Sequence, residues 1–238
     1  MQEVLILILA RVGKGSRKIL KPRRRDDTTD GEPPMNAEER RRKLGGRVIV
    51  GGYFFLSGDI LPDMNIVLIG YRGSGKTAVG KLLAQKLGRA FVDTDELIVQ
   101  RAGLIIKDIF AREGEAGFRQ REAAAIAAAC ANDNQVIAAG GGAVLRAENV
   151  AAMKSNGNVI WLEADAATLH TRIATDAATS ANRPNLTSAG GIEEVRTLLA
   201  KRSPLYEAAA DARVDVSQLA PQQVAERICQ LIPTRIDE

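Results

Sequence analysis

The stretch Asn65-Ile-Val-Leu-Ile-Gly70-Tyr-Arg-Gly-Ser-Gly-Lys76-Thr77 decides the fold. From Gly70 onward it fits the pattern G-x-x-x-x-G-K-[ST] at every fixed position. The five residues before Gly70 read as a short buried strand. Thr77–Leu87 carries Val79, Leu82, Leu83 and Leu87 at helical spacing. Strand, glycine-rich turn and helix in that order let consecutive backbone N–H groups close around an anion. Lys76 is then placed to reach the β- and γ-phosphates of a nucleoside triphosphate, and the Thr77 hydroxyl to help hold Mg²⁺. A glycine-rich turn without a ligand is the competing reading, and the flanking strand and helix argue against it.

Downstream the pattern alternates. Gly88 suits a helix C-cap, and a second strand follows at Ala90–Asp93. Helical stretches are predicted at Glu96–Arg101, Lys107–Arg112 and Glu115–Ala131, and a third strand at Val136–Ala139 runs into Gly140-Gly-Gly142. A helix over Ala147–Lys154, a strand at Val159–Glu163 and a helix over Ala166–Ala174 come next. The polar stretch Thr175–Gly191, with Pro184, reads as a long loop. Ile192–Ala210 is helical, Arg213–Val216 a strand and Pro221–Leu231 the last helix. Five short apolar strands separated by helices predict an α/β protein with a parallel sheet covered on both faces. Trp161, inside a strand, reads as core.

Upstream the chain changes character. Residues 1–63 hold 13 basic and 9 acidic residues, leaving 20 of each for residues 64–238, so the net charge of +4 belongs to the first segment. Lys14–Glu39 mixes Lys, Arg, Asp, Pro and Gly in the manner of a solvated segment. Residues 1–63 are therefore expected to be a disordered or accessory extension, with Met64 directly ahead of the first strand. The body shows no basic stripe of the kind that binds nucleic acid. Val4–Ala10 and Val48–Leu56 are far shorter than the ~20 residues a membrane span needs. Glu3 rather than a basic cluster precedes the first apolar run, so no secretory signal is expected and the cytoplasm is the expected location. Cys130 and Cys229 lie far apart without metal-ligand spacing, and His170 is the sole histidine.

Beyond the loop, four clusters suit chemistry. Asp93-Thr-Asp95 ends the second strand, and two carboxylates two positions apart on a strand share a face. At the carboxyl end of a parallel sheet that face looks onto the ligand site. One acid can support Mg²⁺ and the other accept a proton, although Asp also serves as a helix N-cap. Arg119 and Glu122 are helical neighbours, either a solvated ion pair or a carboxylate orienting an arginine that grips a substrate's carboxylate. Gly140-Gly-Gly142 permits close approach of a ligand to backbone. Arg183-Pro184 in the long loop offers an arginine able to close over transferring phosphates.

From about Met64 to the C-terminus the chain resembles the shikimate kinases. The resemblance rests on an ordered set: GYRGSGKT, FVDTD, GEAGFRQRE, AAGGGAV, NRPNL and AKRSPLYEAAAD. It implies a three-layer P-loop NTPase fold of the adenylate-kinase type, with a five-stranded parallel sheet in order 2-3-1-4-5 and a helical lid. It also implies ATP-dependent phosphorylation of the 3-hydroxyl of shikimate; a monomer with neither nucleic acid nor membrane as partner is expected. Carried over position by position, Gly73, Ser74, Gly75, Lys76, Thr77 and Ala78 surround the nucleotide phosphates, with Thr77 and Asp93 at Mg²⁺. Asp95, Arg119, Gly141 and Arg202 match the shikimate-binding positions, and Arg183 matches the lid arginine. Asp95, Lys76 and Arg183 carry the chemistry. Two features depart: the lid reads Arg183-Pro-Asn185-Leu186 where Arg-Pro-Leu-Leu is usual, and Ser217-Gln218-Leu219 stands where a polar side chain contacts the nucleotide.

Two other functions fit parts of the pattern. A sibling kinase for an acceptor such as gluconate or a nucleotide would share the loop, and two arginines with Asp95 suit a carboxylated polyol better than a nucleobase. A GTPase-type switch would need N-K-x-D and D-x-x-G, and residues 64–238 contain neither.

Overall fold

The computed structural model describes residues 47–50, 53–56, 64–175 and 190–232. Strands β1 (Arg47–Val50) and β2 (Tyr53–Leu56) pair antiparallel, with Val50 opposite Tyr53. The rest of the extension lies outside the described residues. The body begins with β3 (Asn65–Ile69), α1 (Lys76–Leu87) and β4 (Ala90–Asp93). Next come α2 (Thr94–Ala102), α3 (Ile106–Cys130), β5 (Gln135–Ala138) and a single 3₁₀ turn at Ala143–Leu145. The remainder is α4 (Ala147–Ser155), β6 (Gly157–Glu163), α5 (Ala166–Thr175), α6 (Gly191–Ala209), β7 (Ala212–Asp215) and α7 (Pro221–Leu231).

The five body strands form one parallel sheet in the order β4-β5-β3-β6-β7, which is the expected 2-3-1-4-5. Every residue of β3 and of β5 is buried. Successive strand side chains point to opposite faces, so full burial means that helices cover both faces and the body has three layers. Ile66, Val67, Leu68 and Ile69 have almost no exposed surface. Each such side chain contributes about 1.5–3 kcal/mol of transfer free energy. That density at the central strand makes the first residues of the phosphate loop a fixed point of the molecule.

Local signals set the element ends. Gly88 closes α1 in the left-handed region at φ 64°, its N–H donating to the carbonyls of Ala84 and Gln85. Pro221 opens α7, and the Gln223 side chain reaches back to the Ala220 N–H at 2.9 Å. Helix α3 breaks at Gly114, with φ 68° and ψ −175°, which divides it into the two segments that the sequence predicts. Trp161 is buried, as expected, and stacks on Tyr206 with ring centroids 5.8 Å apart. Arg183 and the loop around it fall in residues 176–189, outside the described residues.

Candidate active site

At the end of β3 the chain turns through Gly70–Gly75 into α1. Gly73 and Gly75 both sit at positive φ, 83° and 87°. No side chain caps the N-terminus of α1, and its first turn holds no acid. The opening N–H groups of a helix lack partners within the helix, and the helix dipole adds positive potential there. Gly73, Ser74, Gly75, Lys76, Thr77 and Ala78 thus form a main-chain cradle suited to phosphate. Lys76 lies across its own loop, its Nζ donating to the carbonyls of Gly70 and Tyr71, both at 2.9 Å.

At the edge of this cradle the Thr77 hydroxyl donates to Asp93 Oδ2 at 2.7 Å. The other carboxylate oxygen of Asp93 accepts from the amides of Asp95 (3.0 Å) and Glu96 (3.4 Å). Asp93 is therefore both N-cap of α2 and neighbour of Thr77. Two hard oxygen donors beside a phosphate cradle fit a Mg²⁺ ion that keeps most of its remaining ligands as water and phosphate.

The capping corrects one expectation. Asp93 and Asp95 do not share a strand face, because accepting two following amides ends β4 at Asp93 and starts a helix. Asp93 turns to the loop, whereas Asp95 stands in the first turn of α2 and lines a separate cleft.

That cleft brings together Asp95, Arg119, Gly141 and Arg202, all four acceptor candidates. Arg119, on α3, bonds Glu122 through Nη1 at 2.7 Å and Glu115 at 3.2 Å. Its side chain is 13% exposed and that of Glu122 1%, so this is a buried pair rather than a solvated one. Burial opposes the charge on Arg119, but Glu122 and Glu115 outweigh it and hold the guanidinium pKa above its usual value. Phe118 lies beneath the guanidinium at 5.4 Å and stacks on Phe110 at 4.5 Å. From α6, Arg202 is buried, passes over the Tyr71 ring at 5.6 Å and donates to the Gly141 carbonyl at 3.3 Å.

Other lining residues escaped the sequence reading. Tyr71 and Arg72, the variable positions of the phosphate loop, form one wall of the cleft. The buried Tyr71 hydroxyl has no hydrogen-bond partner among the described residues, and Arg72 faces Glu194 at 4.0 Å. Burial raises the Tyr71 phenol pKa, with Arg202 and Arg72 opposing. At Gly142 an added Cβ would overlap the Arg119 guanidinium, so glycine leaves room for that side chain in the cleft. The run of three glycines was its signal; Tyr71 and Arg72 gave none, since the loop pattern leaves them free.

Remaining candidates lie apart from the cleft. Gln218 is exposed after β7, and His170 is half-buried on α5. Burial pushes the Cys130 thiol up to about 11, which leaves it inert near neutrality. Among the described residues no cluster of three or more His, Cys, Asp or Glu side chains stands ready for a metal, and no helix is long and apolar enough to cross a membrane.

The shikimate kinase family model matches residues 72–233. A shikimate kinase of Symbiobacterium thermophilum is 49% identical over 172 residues, covering 72% of this chain and 98% of the relative. One of Rhodopirellula baltica is 39% identical over 183 residues, covering 77% and 98%. Among solved structures, the shikimate kinase of Acinetobacter baumannii in complex with shikimate aligns with a TM-score of 0.67 at 38% identity, over 71% of this chain and 92% of that one. With a phosphate cradle, an arginine-lined cleft and kinship over nearly the full length of these relatives, the chain belongs to the shikimate kinase family.

Proposed function

We propose that this protein transfers the γ-phosphoryl group of ATP to the 3-hydroxyl of shikimate, a step of aromatic amino-acid synthesis. One observation carries the reading: the phosphate loop and the carboxylate-gripping cleft share a wall, Tyr71 and Arg72 belonging to both. A nucleotide seated on the N-terminus of α1 therefore points its terminal phosphate at the cleft. Shikimate bears one carboxylate, which suits the paired guanidinium groups of Arg119 and Arg202, and ring hydroxyls, which suit Asp95 and the backbone at Gly141.

In this reading Asp95 orients the attacking hydroxyl and takes its proton as the in-line displacement proceeds. Lys76 leaves its loop carbonyls for the β- and γ-phosphates, and Arg183 closes from the lid over the transferred group. Positioning and charge stabilisation supply most of the rate enhancement in such transfers. Mg²⁺, held by Thr77 with support from Asp93, would neutralise charge on the phosphates. The same proposal takes the enzyme to be a cytoplasmic monomer with ATP and shikimate as its partners, without nucleic acid or membrane. Residues 1–63 are accessory to the kinase body.

A coupled assay of ADP release, run with shikimate, with gluconate and without acceptor, tests the proposal. Turnover that requires shikimate is the expected result. Turnover with gluconate alone would reassign the acceptor, and ADP release only without acceptor would mark a plain nucleotide hydrolase.

A further inference from the structure

We infer that Tyr206 is a positioning residue for the acceptor: its buried hydroxyl locks the Gly141–Gly142 peptide and, with it, the guanidinium of Arg202. The inference rests on the acceptor reading given above. Tyr206 lies on α6 four residues after Arg202, so both side chains leave the helix on the same face. Both reach the same atom. Tyr206 Oη donates to the Gly141 carbonyl at 2.5 Å, and Arg202 Nη1 donates to it at 3.3 Å. The Tyr206 side chain is wholly buried, and Trp161 stacks against its ring. Burial raises the phenol pKa, with Arg202 opposing, so the hydroxyl stays a donor across the working pH range.

Two consequences make this more than core packing. A trans peptide is planar, so fixing the Gly141 carbonyl aims the Gly142 N–H in the opposite direction. That N–H donates to no described residue, and both glycines line the cleft. Gly141 also packs against the phosphate loop, where an added Cβ would come within 3.3 Å of the Arg72 amide nitrogen. The peptide that Tyr206 holds therefore stands between the acceptor and the nucleotide. Removing the hydroxyl leaves the carbonyl with the longer Arg202 bond alone, and lets the peptide and the guanidinium drift together.

The test is Tyr206→Phe, which keeps the ring and its stack on Trp161. Losing one buried hydrogen bond should raise the shikimate KM roughly 5- to 10-fold, with the ATP KM within twofold of wild type. A shikimate KM within twofold of wild type, with only the Tm lowered, would reduce Tyr206 to core and overturn the inference. Equal rises in both KM values would overturn it too. A measurement on the unaltered enzyme stands beside the variant. In NMR titrations with shikimate, the Tyr206 hydroxyl proton and the Gly142 amide should shift together, and a hydroxyl signal indifferent to saturating shikimate would also overturn the inference. Wild-type turnover of shikimate separates the two levels: if it is present, a failed Tyr206 test sinks only this inference; if it is absent, the acceptor reading and this inference fall together.

Discussion

The nucleotide cradle is made of main chain, whereas the acceptor cleft beside it is made of side chains. At Gly73–Ala78 the groups proposed to bind are amides held in place by two left-handed glycines and an uncapped helix start. In the cleft they are Asp95, Arg119 and Arg202, drawn from α2, α3 and α6 and held by buried partners such as Glu122 and the Gly141 carbonyl. The two sites should therefore fail differently. A backbone site depends on φ and ψ and is indifferent to most side chains. A side-chain site ties ligand affinity to the satisfaction of buried charge, so damage there reaches the fold as well.

Asp95→Asn should show the largest effect. It removes the proposed proton acceptor from the cleft while leaving Thr77, Asp93 and the cradle intact. Turnover is expected to fall by at least roughly 10²-fold, with ATP affinity by calorimetry unchanged. A parallel loss of ATP affinity would show that the two sites are not separable at this carboxylate. Next in size is Arg119→Ala, which strips the partner from a carboxylate that is 1% exposed. Breaking a buried pair in this way costs about 3–5 kcal/mol of stability, so denaturant unfolding should weaken together with a shikimate KM raised by more than about 10-fold. An unchanged shikimate KM would remove Arg119 from the acceptor site.

The same contrast governs what was legible beforehand. The cradle lies within eight consecutive residues, so its pattern, its strand and its helix could be read together. The sheet order followed from the family resemblance alone, whereas the regular alternation of strand and helix gave a parallel sheet without its order. The shared strand face of Asp93 and Asp95 was misjudged, although their separate roles were not, because a side-chain-to-backbone bond decided where β4 stopped, and spacing alone does not reveal such a bond. Asp95, Arg119 and the glycine run could be singled out from local patterns, but their meeting with Arg202 in one cleft was legible only through the ordered motifs of the family. Gly141 and Tyr206 are 65 residues apart, and no local pattern links a glycine run to a tyrosine on a later helix. Residues 48–56 held a signal left unused: two apolar runs flanking Gly51-Gly52 are a hairpin signature, and β1 pairs with β2 there.

The smallest expected effects give the sharpest test, because one chemical change, glycine to alanine, can be made on each side. A Cβ at Gly75 meets nothing closer than Val79 Cγ2 at 3.9 Å, so space is no obstacle. The obstacle is φ at 87°, a conformation that costs an L-residue about 1–2 kcal/mol. Gly75→Ala should therefore raise the ATP KM roughly 5- to 10-fold and leave the shikimate KM alone. Gly142 is the reverse case. Its φ of −102° and ψ of 0° suit alanine, but the new methyl would overlap the Arg119 guanidinium. The guanidinium can yield only by loosening its bond to the buried Glu122, so the Tm should fall somewhat while the acceptor loses its grip. A shikimate KM raised roughly 5-fold with the ATP KM unmoved is the expected result. If instead Gly142→Ala weakens ATP, the glycine run belongs to the cradle, and the boundary between main-chain and side-chain sites has to be redrawn through the shared wall at Tyr71 and Arg72.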